Sequence, residues 1–284
     1  MTESILAITG PTSGIGRATV KALANTFQRI ILICRNMDKA ETLTQELLEL
    51  NPNLKVDTVR CDLSDLSSVR QAAKVIKEQF DHIDCLVNNA GMVSKSGQTS
   101  PDGYELMMAT NYLSHFLLTH ELLPLVMQSE RRQVVIVSSD AYKFVPMKRP
   151  FFKPTHSSAI AGYGRSKLGT LYLAQELHEM YSRKGLKTTA VHPGMVSTNI
   201  GRNNVSKKVG DFVFKLLDPF FVTVEEGARP VVSAVLYPEK FAGFYSNEGT
   251  VAPVKKHGSD FKMRREFIDA TLRRIGYGFT LIPH

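Results

Sequence analysis

The chain alternates short, unbroken apolar runs with longer segments whose apolar residues recur every three or four positions. That alternation predicts a buried sheet covered by helices on both faces. The expected fold class is α/β, a doubly wound (Rossmann), mainly parallel seven-stranded sheet in a single domain. The predicted strands are Ile5–Thr9, Ile30–Cys34, Lys55–Arg60, Ile83–Asn88, Val134–Ser138, Lys187–His192 and a last one near Phe244. Between them, Ala40, Leu43, Leu47 and Leu50 share one helical stripe, and Val69, Ala73, Ile76 and Phe80 share another behind a Ser64 cap. A long helix spans about 103–127, with Pro124 marking a kink or the start of its end because proline removes a backbone donor. Another runs from about Ser158 to a Gly185 stop.

Two stretches break the periodicity. Residues 143–157 carry three prolines, three phenylalanines and several basic residues, and residues 202–218 follow a Gly/Asn-rich turn with a basic, then aromatic, run. Each reads either as a flap over a pocket or as a surface loop. Apolar residues Phe212, Phe214, Phe220 and Phe221 hint at a hydrophobic ligand, and core packing explains them equally.

Composition narrows the function. The net charge of +8 comes from dispersed basic residues without a nucleic-acid recognition motif, so attraction of a polyanionic cofactor explains it better than nucleic acid. Cys34, Cys61 and Cys85 sit in or beside strand-like runs without metal-ligand spacing, and the eight histidines show none either, so no metal is expected. The first apolar run, Ile5 to Ile8, is strand-sized, and nothing resembles a secretory signal or membrane span; a cytoplasmic protein is the expectation.

The chemistry concentrates in two motifs. Thr9-Gly10-Pro11-Thr12-Ser13-Gly14-Ile15-Gly16 follows a strand and opens a helix, a context in which backbone N–H groups at a helix N-terminus favour a pyrophosphate. Its Gly-x-x-x-Gly-x-Gly spacing differs from the Gly-x-Gly-x-x-Gly of many dehydrogenases. Tyr163 and Lys167, at i and i+4, place a phenol and an ammonium on one helical face. At the end of the second strand, where such folds read the adenosine ribose, stand Arg35 and Asn36. A guanidinium there binds a 2′-phosphate in fork geometry, which points to NADP(H) over NAD.

With these motifs the chain resembles the short-chain dehydrogenase/reductase family over nearly its whole length. The matches are Thr9 to Gly16, Asp62-Leu63, Asn88-Asn89-Ala90-Gly91, Asn111, Ser138-Ser139, Tyr163 to Lys167, and Pro193-Gly194-Met195-Val196-Ser197-Thr198. Cys34-Arg35, Glu225 to Ala228 and 243–253 are similar to the branch containing retinol dehydrogenases and protochlorophyllide reductases. The wide spacing from Ser139 to Tyr163 implies an insertion at 143–157. The membrane anchor of animal retinol dehydrogenases has no counterpart, which argues against a retinoid substrate.

The resemblance implies roles. Asp62 contacts adenine; Asn89, Ala90 and Gly91 line the cofactor; Pro193, Gly194, Val196 and Thr198 hold its nicotinamide end. Tyr163 exchanges a proton with a carbonyl or alcohol, its phenol acidified from a free pKa of roughly 10 by Lys167 and the oxidised nicotinamide. Ser139 donates to the substrate oxygen, with Ser138 its rival for that role, and Asn111 holds a water leading from Lys167 to solvent. Tyr142 and Met195 are candidate pocket residues, with plain packing as the alternative. The expected activity is NADPH-dependent carbonyl reduction or alcohol oxidation on a small, apolar substrate. Reduction of a conjugated C=C bond and a non-catalytic NADP-binding redox sensor are the alternatives. Family habit adds a homodimer or homotetramer through the two long helices.

Overall fold

The computed structural model describes residues 3–153, 158–194, 222–243, 245–247 and 250–277. Their first half repeats strand and helix: β1 (Ile5–Thr9), α1 (Gly14–Leu23), β2 (Arg29–Cys34), α2 (Met37–Leu50), β3 (Lys55–Arg60), α3 (Leu66–Gln79) and β4 (Cys85–Asn88). One long helical rod follows in three parts, α4 (Leu106–Met108), a π-turn (Ala109–Leu113) and α5 (Ser114–Gln128). Then come β5 (Gln133–Val137), a 3-10 turn (Asp140–Phe144), α6 (Ala159–Tyr181) and β6 (Lys187–His192). The chain finishes with α7 (Val224–Leu236), α8 (Pro238–Phe241), β7 (Tyr245–Asn247), β8 (Thr250–Ala252) and α9 (Phe261–Ile275).

The sheet order is β3-β2-β1-β4-β5-β6-β7-β8, parallel throughout except for the final β7–β8 pair. Among the described residues the sheet therefore has eight strands where seven are expected; the eighth is three residues long, too short to show a period. All of β1 is buried, as a central strand covered on both faces must be. Chain order reverses between β1 and β4. Their carboxyl ends open the crevice in which doubly wound folds bind ligands.

Each face has its own core. Apolar residues of α3, α5, α6 and α9 fill one, and those of α1, α2 and α7 fill the other. Local expectations hold with corrections. Asp65, not Ser64, caps α3, because its carboxylate accepts from Ser67 N and Ser68 N while the Ser64 hydroxyl turns back to Asp62. Leu50 ends its stripe in solvent, at the last turn of α2. α6 begins beside Ser158 as expected, with the Ser158 side chain capping it, and Gly185 follows its 3-10 extension at φ +89°.

The described residues of the 143–157 stretch form a largely exposed surface segment, with Phe144, Pro146, Lys148, Arg149, Pro150 and Lys153 in solvent and a few side chains anchoring it to the core. Met147 and Phe152 are buried, and Glu105 N donates to Phe152 O at 2.9 Å. Among its apolar side chains Phe144 is the most exposed, at 78%. Residues 202–218 lie outside the described residues.

Phe267 of α9 closes this core. Its fully buried ring meets Tyr112, Phe151, Phe152 and Tyr172 at centroid separations of 4.8 to 6.0 Å. Arg265 and Arg264 reach across to Glu176 of α6, and Tyr112 Oη pairs with Thr271 Oγ1 at 2.8 Å. Phe267→Ala is expected to cost about 3–5 kcal/mol, read as a lower denaturant midpoint. A loss under about 1 kcal/mol would mean that the surroundings collapse into the gap.

Candidate functional site

The crevice begins at the glycine turn. Gly10 has φ +63°, and a Cβ on it would come within 2.9 Å of Ala90 Cβ. A Cβ on Gly16 would collide with Gly10 O and Asn89 Nδ2, so the turn packs without spare room against the Asn88-to-Gly91 segment. The Thr9 hydroxyl ties the two together, accepting from Asn89 N at 2.9 Å and Ala90 N at 3.0 Å. Asn89 Nδ2 donates to Thr9 O and Gly10 O.

Ser13 precedes α1 without a side-chain cap, and no acid stands in its first turn. Its leading N–H groups are thus left for an anion. Thr12 is half-buried and Ser13 exposed there, while Ile15 packs on the core below. This set of uncapped N–H groups at the start of α1 fits a dinucleotide pyrophosphate.

Arg35 lies at the end of β2 with its side chain 73% exposed, its Nη1 3.6 Å from an Asp62 oxygen. Burial alone would raise the Asp62 pKa, but hydrogen bonds from Ser64 and the Arg35 charge hold it below the ordinary carboxylate range. Asn36 caps α2, its Oδ1 accepting from Lys39 N at 2.8 Å. Leu63 is buried beside Asp62.

The second half of the site rises from α6. Tyr163 is half-buried and hydrogen-bonded to Ser139. Burial pushes its phenol above the ordinary value, and the Ser139 bond partly opposes that. Lys167 Nζ stands 5.7 Å from the Tyr163 ring centroid and donates to Val137 O at 2.8 Å. Burial brings its ammonium down to about 8. Ser138 points elsewhere: its hydroxyl donates to Lys167 O at 2.9 Å and accepts from Thr170 Oγ1 at 3.2 Å. Of the two serines, Ser139 is the one beside the phenol.

Asn111 sits in the π-turn, a distortion that recurs at functional sites. Its Oδ1 accepts from Met92 N at 2.8 Å, and its Nδ2 donates to Met92 O and Ser166 Oγ, each at 2.9 Å. A Cβ on Gly91 would lie 3.3 Å from Lys167 Nζ and 3.8 Å from Asn111 Oδ1, so these three groups share one small space.

Tyr142 is fully buried against Tyr245 and His257, which favours the packing alternative over a pocket role. Pro193 and Gly194 follow β6, Gly194 at φ +85°. Met195, Val196 and Thr198 lie outside the described residues. Among the described residues no group of His, Cys, Asp and Glu could hold a metal, and no helix is long and apolar enough to cross a membrane.

His115, which in the sequence reads as a structural or exposed histidine of the long helix, is buried. It lies one helical turn beyond Asn111, joining it to Thr9. The i+4 spacing from a motif residue was the available signal.

Residues 4–209 match the family model of the short chain dehydrogenases. The chain is 33% identical to the short-chain dehydrogenase/reductase drtF of Aspergillus calidoustus, over 82% of this chain and 79% of that protein. It is 29% identical to human retinol dehydrogenase 11, over 96% of this chain and 86% of that one. A crystal structure of an uncharacterized protein from Mycobacterium paratuberculosis superposes with a TM-score of 0.71 at 26% identity, covering 98% of this chain and 95% of that one. A short-chain dehydrogenase from Sphingobium yanoikuyae, solved in complex with NADPH, shares the fold at TM-score 0.68 and 20% identity, covering 95% of this chain and 94% of that one. The chain thus belongs to the short-chain dehydrogenase/reductase family, nicotinamide-dependent oxidoreductases, in the branch that includes the retinol dehydrogenases.

Two buried histidines bear on acid stability. Burial drives His115 and His192 each to about 4, below their unfolded value near 6.5, although the nearby Asp140 charge opposes the shift at His192. The unfolded chain therefore takes up these protons first, and stability falls as pH drops from about 6.5 toward 4. Between pH 6.5 and 5 each site is expected to remove up to about 2 kcal/mol. Urea unfolding at pH 7 and pH 5 checks this; His192→Gln should shrink the difference, and an unchanged midpoint would contradict it.

Proposed function

We propose that this protein is an NADPH-dependent oxidoreductase that interconverts a carbonyl and an alcohol on a small, apolar substrate, with Tyr163 as general acid and base. The observation that carries this reading is the convergence of the Tyr163 phenol, the Ser139 hydroxyl and the Lys167 ammonium at the mouth of the β1–β4 crevice. Gly10, Thr12, Ser13, Gly14, Ile15 and Gly16 hold the pyrophosphate. Asp62, Leu63, Asn89, Ala90 and Gly91 line the remaining cofactor cleft. Bound there, the nicotinamide supplies or accepts hydride.

The chain's own groups manage the proton. Tyr163 Oη gives its proton to the substrate oxygen during reduction and regains one in reverse. Ser139 Oγ donates to the same oxygen as it gains negative charge. Lys167 Nζ, anchored on Val137 O, offers a positive charge to the phenolate that Tyr163 leaves behind. Asn111 supports the lysine's surroundings through Met92 and Ser166.

NADP(H) is the preferred cofactor because Arg35 projects an exposed guanidinium where the 2′-phosphate falls, and Asn36 caps the helix beside it. Three free, buried cysteines suit a reducing compartment, consistent with a cytoplasmic address. As for assembly, a homodimer or homotetramer through the two long helices is the proposed state, with α9 packed on α6 and the π-turn within one chain.

Tyr163→Phe is expected to lower turnover of a ketone, aldehyde and enone panel by about 10² to 10⁴, with NADPH affinity nearly unchanged. Rates surviving that change would refute the acid–base assignment, and exclusive turnover of enones would move the chemistry to C=C reduction. Arg35→Ala should weaken NADPH by about 10- to 100-fold while sparing NADH, the range of a lost charge-assisted bond. An unaltered affinity ratio would remove Arg35 from phosphate recognition.

A further inference from the structure

We propose that His115 is a positioning residue that locks the floor beneath Lys167 to the glycine turn. Its imidazole, held as the Nδ1–H tautomer, joins the Asn111 carbonyl to the Thr9 hydroxyl. This rests on the reading of Lys167 and Tyr163 as the reacting pair only for its effect on rate.

The π-turn creates the need for such a group. Ser114 N–H reaches five residues back to Ala109 O, so the regular four-residue pairing is skipped there. Side chains take over: Ser114 Oγ donates to Thr110 O at 2.6 Å, and His115 Nδ1 meets Asn111 O at 2.9 Å. A carbonyl only accepts, so Nδ1 carries the proton. The other nitrogen, Nε2, is then bare and accepts from Thr9 Oγ1 at 2.9 Å. That hydroxyl already accepts from Asn89 N and Ala90 N, so its one donor and two acceptor places are all filled.

The ring is 1% exposed, and its burial, aided by the charge of Lys167, keeps it neutral at working pH. A ring that stays neutral at working pH and whose two nitrogens are both committed does not shuttle protons; it fixes geometry. What it fixes is Asn111, whose amide grips Met92 and Ser166 and whose Oδ1 borders the space occupied by Lys167 Nζ and Gly91. Through Thr9 the same ring holds the turn that carries Gly10. The two halves of the crevice are thereby spaced by one rigid heterocycle.

The full-length chain tests this without needing turnover. Nitrogen NMR on labelled histidine should show His115 as the neutral Nδ1–H tautomer from pH 8 to pH 5; an Nε2–H tautomer would overturn the proposal. The titration of the Lys167 Cε resonance, assigned by its loss in Lys167→Met, and the fluorescence of added NADPH report the two halves. In His115→Leu the lysine midpoint should move by about half a unit or more and NADPH should bind about tenfold more weakly, the scale on which small misplacements act. His115→Asn, which keeps a donor near the Nδ1 position, should restore the lysine midpoint. A folded His115→Leu protein with only a lower melting temperature and both readouts unchanged would reduce the residue to packing. Should that variant not fold, Thr9→Val leaves the ring in place and should shift the Nε2 resonance; no shift would mean no bond. Wild-type protein that shows the relay signals but reduces no carbonyl would sink the redox reading alone.

Discussion

The closeness of the Gly10 turn to the Asn89–Ala90 turn sets the spacing of everything at the top of the sheet. Two strand ends that leave β1 and β4 in parallel must diverge for a ligand to enter between them, yet here backbone nearly touches backbone. At Gly10 and Gly16 only a residue without a Cβ fits that approach, and the Thr9 hydroxyl uses its full bonding capacity to hold it.

Across that crevice, the protein puts a phenol and an ammonium into surroundings that disfavour charge on either. Burial raises Tyr163 and lowers Lys167, so each sits nearer neutrality than it would in water. A pair in that condition responds strongly to any nearby charge, since little solvent remains to screen it. Ser139, tied to Tyr163 on one side and to Ala141 N on the other, is fixed before a ligand arrives. Preorganisation of this kind keeps reorganisation small when charge develops.

Much of this was legible in the residues themselves. The predicted bounds of β1, β3 and β6 match to the residue: β1 is a fully buried apolar run, β6 is buried apart from its first residue, and β3 is a largely exposed edge strand. The glycine turn and the Tyr163–Lys167 pair could be read because their geometry follows from fixed spacing along one element. What was not legible depended on long-range contact. The eighth strand is too short to carry a period, and no local pattern marks the π-turn around Asn111, whose amide bonds across to Ser166 of α6. Phe151 and Phe152 looked like an unpatterned excursion, since their partner Phe267 lies more than a hundred residues later. His115 looked like an ordinary core histidine for the same reason.

That distant partnership has a consequence for how the molecule comes into being. Phe267 wedges among rings contributed by the π-turn, the 151–152 segment and α6, all made well before it on the ribosome. Until α9 emerges, those rings surround an unfilled hollow on the side of the sheet that carries Tyr163. The nascent chain must therefore wait for one of its last helices before its reactive face becomes solid.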